Sequence, residues 1–257
     1  MITIRNTPNA AGVVISGDFE DLDNLVDAFH LITVSEFDGG RNQQYIAMST
    51  RVLGLCYDIR HASQGDREVE LVHNNMTDED MAWHSIIAPR SNVYYSCRYL
   101  YPEMFFVMLA LNQLIELRSN QIGSMRRVYG KTQAIEVAWD KHIAMIRIFQ
   151  AQFLECVRST LTDRQFSRWM KAMNSDQFDM RDIASQYLDL LAVNYINLTA
   201  KQRLKSLPAL AERITGFRQD GDHREIARVV NSEAQVRGCA PEDIGLEGIE
   251  FPHCFEW

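Results

Sequence analysis

Strand-forming patterns occur only in the first 100 residues of this 257-residue chain, and helical periodicity alone follows them. The clearest strand pattern is the β-branched run Gly12–Gly17, which is bounded by glycines. Strands grouped before helices favour an antiparallel sheet with helices on one side over alternating parallel units. We therefore predict an α+β fold: a small, mostly antiparallel sheet of about four strands covered by helices, followed by an all-helical domain.

Four strands and three helices are predicted in the first part. Ile2 and Ile4 alternate in a first strand, and turn residues at 6–9 join it to the second strand as a hairpin. Asp18 is placed to cap the following helix. Pro102 opens a helix that is apolar almost all round, as is typical of a helix buried in a core. The remaining predicted elements are a helix over residues 43–63 that ends at Gly65 and strands over residues 67–73 and 92–100.

Helical patterns account for the second part. Residues 131–160 carry apolar side chains at alternating spacings of four and three. This spacing predicts one long helix that packs against another helix, within the chain or across a dimer. The segments that start at Thr162 and Thr199 match the capping box and predict two more helices. A last helix over residues 222–237 is expected to end at Gly238.

The charge pattern favours a division into two domains. Residues 1–117 contain sixteen acidic and seven basic side chains, whereas residues 118–230 contain eighteen basic and twelve acidic ones. Opposite net charges attract, so the two parts are expected to attract each other or other copies of the chain. Small and polar residues cluster near 119–130. We predict an α+β domain over residues 1–119 and a helical domain with an acidic, aromatic tail over residues 120–257.

The composition also limits the compartment. The N-terminus lacks the basic and apolar regions of a signal peptide. The most apolar run, Met104–Leu111, is far shorter than the ~20 residues that span a bilayer. The five cysteines show no paired spacing, which is typical of reduced cytosolic thiols. We therefore expect a cytoplasmic protein without a membrane partner.

The most suggestive chemical pattern lies around residue 60. Asp58 and His61 are three residues apart on a predicted helix and share a face, while Asp66 and Arg67 open the next strand. A carboxylate that orients a histidine, beside an arginine that holds a phosphate, would form an acid–base site. These four residues are therefore the candidate catalytic site of a hydrolase. The alternative is that they form ion pairs that tie a loop to the helix.

No other catalytic or cofactor signature occurs in the sequence. There is no Cys-x-x-Cys or His-Glu-x-x-His spacing, no phosphate-binding glycine loop and no nucleophile elbow. Cys239, His253 and Cys254 would supply three metal ligands only if the end of the chain folded back, and a chance cluster is the preferred interpretation. We predict neither a bound metal nor a cofactor.

A basic helical face gives a further hypothesis. Arg164, Arg168 and Lys171 lie at spacings of four and three, so they share one side of a predicted helix. Such a face could neutralise nucleic-acid phosphates. The net charge of -8 favours instead a solvated face, or one that meets the acidic part of the chain. Nucleic acid is therefore an allowed partner and not the favoured one.

The last residues of the chain, 241–257, form a tail that combines acidic and large apolar residues. Phe251, Phe255 and Trp257 are costly to leave in water. We expect the tail to dock on its own fold or on a second copy of the chain. Binding to a separate partner is the alternative.

Several segments of the first part resemble a known family. The likeness covers the first 117 residues well and the helical half loosely. The segments are Asn6–Asn9, Gly12–Phe19, Leu53–His61, Gly65–Val72, Asn92–Ser96 and Pro102–Asn112. They are similar to a family of bacterial proteins described as a domain of unknown function. The resemblance implies a bacterial, cytosolic origin and carries over no activity, substrate or site.

The leading functional hypothesis is a non-catalytic interaction or regulatory protein. It rests on the lack of a catalytic signature in the sequence, the opposed charges of the two parts, and the aromatic, acidic tail. We expect a homo-oligomer and a protein partner that the sequence does not identify. The alternatives are a hydrolase of a phosphate-containing substrate and a nucleic-acid-binding protein.

Overall fold

The structure, a computed structural model, describes residues 1–35, 40, 42–124, 139–174, 179–249, 251–252 and 254–257. The side chains of residues 123 and 124 are not described. The first part of the predicted 131–160 helix and His253 of the predicted chance cluster lie outside the described residues.

Four strands form one antiparallel sheet in the order β1-β2-β4-β3. β1 (Thr3–Asn6) and β2 (Gly12–Gly17) make the predicted hairpin. β4 (Ser91–Leu100) pairs with β2 through its second half and with β3 (Glu68–His73) through its first half. The predicted α+β fold with a small antiparallel sheet and a helical part is therefore confirmed.

Side chains alternate between the two faces of a strand, so every second residue of the first hairpin lies on the face that is turned towards the core. In β1, Ile4 is buried between Thr3 and Arg5, which are both exposed. In β2, Val13 and Ile15 are completely buried. The first hairpin thereby contributes its apolar residues to the core of the molecule.

Two helices pack on this face. They are α1 (Phe19–Ile32) and α2 (Ile46–Ser63), which contact β2 and β4 and each other. Asp18 caps α1 as predicted, because its carboxylate accepts the backbone N–H of Asp21 at 2.8 Å. The predicted second helix starts with a short 3₁₀ turn, Gln43–Tyr45, before the α-helix begins.

The connection between β3 and β4 contains a short helix, α3 (Asp78–His84). Thr77 caps this helix and accepts the backbone N–H of Asp80 at 3.1 Å. Ser85 ends it with a left-handed backbone, at a φ of 54°. None of the residues of α3 is buried, so its ends are held by local capping and by an ion pair between Asp78 and Arg90.

The centre of the core is α4 (Tyr101–Ser124), which starts directly after β4. Every residue from 104 to 111 is at most 5% exposed. α4 packs against α2, against β2 and β4, and against helices of the second part. A helix surrounded on all sides is hydrophobic all round, so the prediction of a fully buried helix is confirmed.

The predicted helix over residues 131–160 is wrong at its start. The described helix is α5 (Lys141–Thr160), and Asp140 caps it by accepting the backbone N–H of His142 at 2.9 Å. Trp139, just before the cap, is 80% exposed. An N-cap residue has a non-helical backbone, so one continuous helix cannot pass through residue 140.

The capping residues predicted the starts of two later helices correctly. At Thr162 and Thr199, the backbone N–H donates to the side-chain oxygen of the glutamine three residues later. Gly238 adopts a φ of 66° and ends the last α-helix, as predicted. The helices of this part are α6 (Asp163–Met173), α7 (Ser185–Ile196), α8 (Ala200–Thr215) and α9 (Gly221–Arg237).

The apolar core continues across the predicted domain boundary. That boundary, at residues 119 and 120, lies within α4. Phe105 of α4, Phe153 of α5 and Trp169 of α6 form an aromatic group with ring centroids 5.7 to 6.2 Å apart. One apolar cluster contains residues from both sides of the boundary. The division into two domains that fold separately stays a prediction.

Candidate functional site

The end of α2 determines where the predicted acid–base residues lie. Gly65 has a φ of 84°, and its backbone N–H donates to the carbonyl of Ala62. The N–H of Asp66 donates to the carbonyl of His61, which completes a Schellman motif. This helix end reverses the chain and places Asp66 beside the last turn of α2.

The four predicted residues form two separate pairs. Nδ1 of His61 lies 2.9 Å from a carboxylate oxygen of Asp66, and Nη2 of Arg67 donates to Asp58 at 3.0 Å. The hydrogen bond with Asp58 raises the pKa of the Arg67 guanidinium. The His61 ring also packs on Tyr57, with ring centroids 4.1 Å apart. The arrangement matches the ion pairs that tie a loop to a helix.

A cavity of about 430 Å³ lies beside one of these pairs. Asp58 and Arg67 line it, whereas His61 and Asp66 do not. The acid–base hypothesis requires all four side chains in one accessible pocket, and this cavity brings together two of them. The hydrolase hypothesis stays a prediction. The other lining residues are Glu68, Arg98, Tyr99, Leu100, Glu103, Phe255 and Trp257.

A network around Arg51 lies next to this cavity and was not predicted from the sequence. Nε of Arg51 donates to Glu103 at 3.0 Å, and its Nη2 donates to Asp189 at 2.8 Å. Burial alone would lower the pKa of Arg51, but the two carboxylates raise it. The partners are 52 and 138 residues away in sequence, so no local spacing could have revealed this network.

The predicted basic face on α6 is partly neutralised. Nε and Nη2 of Arg168 both donate to the carboxylate of Glu212 on α8, and Nε lies 2.6 Å from a carboxylate oxygen. This bidentate pair raises the pKa of Arg168 and lowers that of Glu212. Arg164 and Lys171 lie on the same helix and are exposed. The face therefore carries less net positive charge than its sequence suggests.

The end of the tail docks on its own chain, which is one of the expected modes, whereas Phe251 stays 44% exposed. Phe255 and Trp257 pack together and against a small apolar cluster. The backbone N–H of Asn9 donates to the backbone oxygen of Trp257 at 2.8 Å. The tail therefore covers part of the sheet and forms one wall of the 430 Å³ cavity. The cluster consists of Ala11, Leu100, Ala192 and Ile196.

The buried side chain of Arg203 holds the tail in place through hydrogen bonds. It is only 4% exposed, and Nη1 donates to the carbonyls of Glu256 at 2.7 Å and Asn9 at 3.0 Å. Its Nη2 donates to the carbonyl of Ile196 at 2.6 Å. The hydrogen bonds of this buried cation run to backbone carbonyls, and it joins three distant segments. This role could not be predicted from the sequence, because backbone carbonyls are present at every position.

Residues 64–95, which we call the arm, form the least covered part of the structure. The arm comprises the turn after α2, β3, α3 and the first half of β4, and none of its residues is buried. β2 stops pairing with β4 at Tyr95, so β4 continues with β3 as its only partner strand. Two-stranded ribbons are marginally stable in water on their own. The arm therefore projects beyond the covered sheet with little packing of its own.

Apolar side chains of the arm face solvent. Trp83 is 85% exposed, Leu71 is 75% exposed, and Ile87 is fully exposed. A concentration of large apolar side chains on a surface segment marks an interaction site more often than scattered ones do. The others are Val69, Val72, Ile86 and Val93.

The outer edge of β3 has open backbone groups. The N–H of Asn74 donates to the carbonyl of Arg90, which continues the β3–β4 register by one pair. Hydrogen-bonded and non-hydrogen-bonded pairs alternate along an antiparallel ladder. The N–H and C=O groups of Val69, Leu71 and His73 therefore point away from β4. No described residue forms a hydrogen bond with these groups.

The two acidic residues of β3 are neutralised within the sheet. Glu68 lies 3.0 Å from Arg98 of β4, and Glu70 forms an ion pair with Arg5 of β1. Charged side chains on an edge strand normally discourage pairing with another strand. Because each carboxylate already has an arginine, this protection is weakened on β3.

Across the described ranges, no group of three or more His, Cys, Asp or Glu residues has a geometry that could hold a metal ion. No helix in the described part of the chain is long and apolar enough to cross a membrane. Comparisons with curated proteins and with solved structures gave no match.

The resemblance seen in the first part of the sequence extends through the helical part. A family described as Domain of unknown function (DUF6904) matches residues 2–257. The match includes the arm, the tail and all the helices between them. This chain belongs to the DUF6904 family.

Proposed function

We propose that this chain is an interaction protein of the bacterial cytoplasm that self-associates through the arm. The observation that carries the proposal is the open edge of β3 together with the exposed apolar side chains around it. An exposed, apolar edge strand is a template for pairing with another strand. Pairing would satisfy open backbone groups and remove apolar surface from water.

A second copy of the chain is the partner that suits this edge. The residues whose backbone N–H and C=O groups point outward must pair with residues of the same kind in the second copy. Val69, Leu71 and His73 of one copy can therefore form hydrogen-bonded pairs only with Val69, Leu71 or His73 of the other. One register places Leu71 opposite Leu71 of the second copy and Val69 opposite His73. In this register Glu70 lies opposite Val72, and no two acidic residues meet.

The register shifted by one pair towards the start of β3 is less favourable, and the crosslinking experiment below distinguishes the Leu71 register from the one shifted towards the end of β3, which places Val72 opposite Val72. A shift by one pair towards the start of β3 would place Glu70 directly opposite Glu70 of the second copy, and like charges directly opposite destabilise a sheet. The Leu71 register avoids this contact and has the two-fold symmetry of the commonest dimers. It would join two four-stranded sheets into one continuous sheet.

The cytoplasmic part of the proposal rests on the cysteines. Cys56, Cys97 and Cys156 are buried as separate free thiols. Burial raises the pKa of Cys56 to about 11 and of Cys97 to about 12, so both stay protonated and unreactive. Thiols buried in this way are typical of proteins from a reducing compartment.

The oligomeric state tests the proposal directly. Analytical ultracentrifugation of the full chain at micromolar concentration should show a dimer. Leu71→Arg places two like charges on the two-fold axis and should give a monomer with an unchanged circular dichroism spectrum. Leu31→Arg is the matched control, because Leu31 is an exposed leucine on α1, outside the arm. A monomeric wild-type chain, or a Leu71→Arg variant that still dimerises, would contradict the proposal.

Crosslinking tests the register. In a chain with Cys239→Ser and Cys254→Ser, which removes the exposed thiols, Leu71→Cys should form an intermolecular disulfide under mild oxidation. Opposed residues of a hydrogen-bonded pair lie about 5.5 Å apart at Cα, within disulfide reach. Val72→Cys should not crosslink, because residue 72 lies opposite Glu70 of the second copy, two positions away from residue 72 of that copy. Crosslinking through residue 72 and not 71 would show a shifted register.

Salt distinguishes this interface from attraction between the oppositely charged parts of the chain. Pairing through backbone groups and apolar side chains depends little on ionic strength, whereas attraction between exposed charges is largely screened at high salt. The dimer should therefore persist in 0.5 M sodium chloride. Dissociation at this salt concentration would point to the charged surfaces as the interface.

A further inference from the structure

A second cavity, of about 280 Å³, lies between α4, α5 and α6. It shares no residue with the arm or with the candidate acid–base site. Its walls are mainly apolar and include flexible methionines, which adapt to ligands of different shape. The main apolar wall residues are Met108, Phe153, Leu154, Trp169, Met170 and Met173.

One charged side chain lines this cavity. Nη1 of Arg147 donates to the amide oxygens of Asn112 at 2.6 Å and Gln150 at 2.8 Å. No carboxylate of a described residue pairs with it, and partial burial lowers its pKa. Gln150 is itself fixed, because its amide donates to the carbonyl of Met108 at 3.0 Å. The guanidinium of Arg147, an exposed side chain, is thus held in position without an anion from any described residue.

A buried donor in the wall of this cavity has no partner among the described residues. Trp169 is only 3% exposed, and its indole N–H is buried without a hydrogen-bond partner among the described residues. Buried donors in native proteins almost always have a partner. Five described side chains have such an unpaired buried atom, and Trp169 is the one among them that lines this cavity.

We infer that this cavity binds a small carboxylic acid with an apolar body. The Arg147 guanidinium would hold the carboxylate, which it matches in shape and charge, and the methionine and aromatic walls would cover the apolar body. At about 30 Å³ for each water-sized group, the volume accommodates roughly nine non-hydrogen atoms. A straight-chain acid such as octanoate has this size. The inference does not depend on self-association.

Isothermal titration calorimetry of the full chain tests the inference with three probes. Octanoate should bind saturably, and 1-octanol should bind at least tenfold more weakly because it lacks the charge. Butyrate should also bind at least tenfold more weakly, since it loses four buried methylene groups at roughly fourfold each. No saturable octanoate binding at millimolar concentration, or equal affinity for octanol, would overturn the inference.

Variants identify the site. Arg147→Gln should weaken octanoate binding at least tenfold and leave octanol binding unchanged, and Arg147→Lys should give an intermediate loss. Lys141→Gln, which removes a positive charge from an exposed position on the same helix outside the cavity lining, should have no effect. Ala151→Phe should block both probes, because Ala151 lines the cavity on an exposed helix face. Octanoate affinity within twofold of the wild type in Arg147→Gln would overturn the inference.

Discussion

The arm and the tail carry similar apolar side chains and place them in opposite surroundings. Trp83 of the arm is 85% exposed, whereas Trp257 of the tail packs against the cluster around Leu100 and Ile196. The difference lies in the backbone. The tail is bound by Arg203 and by the N–H of Asn9, while the outward groups of β3 have no partner among the described residues.

This comparison shows what decides whether an apolar segment is covered by its own chain. An indole or a leucine gains free energy when it leaves water, but the backbone around it must also keep its hydrogen bonds. The tail has both conditions satisfied within one chain. The arm has the apolar side chains and open backbone groups together, which a second strand could satisfy at once.

The largest expected effect comes from removing the anchor of the tail. Arg203→Met keeps an unbranched side chain of similar length but leaves the carbonyls of Asn9, Ile196 and Glu256 without their donor. Buried carbonyls without donors are costly, so we expect a loss of about 3 kcal/mol in the free energy of unfolding. Urea denaturation at pH 7 measures this loss. Lys205→Met, an exposed position on the same helix, should change it by less than about 0.5 kcal/mol. A similar small change in Arg203→Met would mean that the tail is not held by this residue.

The next effect compares the two regions side chain by side chain. Trp257→Ala should lower the free energy of unfolding by about 2 kcal/mol, because a half-buried indole loses its contacts. Leu71→Ala should change it by less than about 0.5 kcal/mol in dilute solution, because Leu71 already faces solvent. At concentrations where dimers form, Leu71→Ala should become destabilising as association is lost. Urea denaturation at two protein concentrations tests both statements. An equal loss from both variants in dilute solution would mean that the arm is packed within the monomer.

Much of the fold was predictable because it depends on local signals. The glycine-bounded run of β2, the Asp18 cap and the capping box at Thr162 all act within a few residues, and all three appear where the sequence placed them. The prediction of one helix over residues 131–160 was wrong because it did not depend on a local capping signal. It depended on apolar spacing alone, and this spacing does not show that Asp140 caps a helix that starts at Lys141.

The candidate sites were less predictable because they depend on contacts between distant segments. Asp58, His61, Asp66 and Arg67 lie near one helix end, and their role as a catalytic site stays a prediction. Their division into two pairs depends on the Schellman turn, which sets the direction of the chain after Gly65. The arm was missed as a surface, because the alternation of Val69 and Leu71 in β3 is the same in a covered strand and in an open one.

The smallest expected effect uses one substitution in both regions. Thr77 caps α3 in the arm, and Thr162 caps α6 in the packed part, each through a capping box. Thr162→Ala should lower the global free energy of unfolding by about 1 kcal/mol, since α6 packs on the core. Thr77→Ala should leave the global value nearly unchanged, because α3 has no buried residue and can open while the rest stays folded.

Hydrogen exchange shows the local effect that denaturation misses. In Thr77→Ala, the amides of α3 should exchange severalfold faster, whereas those of α4 should keep the wild-type rate. In Thr162→Ala, the most slowly exchanging core amides should accelerate, because they exchange through global unfolding. If Thr77→Ala also accelerated the core amides, the arm would unfold together with the core. The arm would then be a cooperative part of the monomer, and the contrast with the tail would not hold.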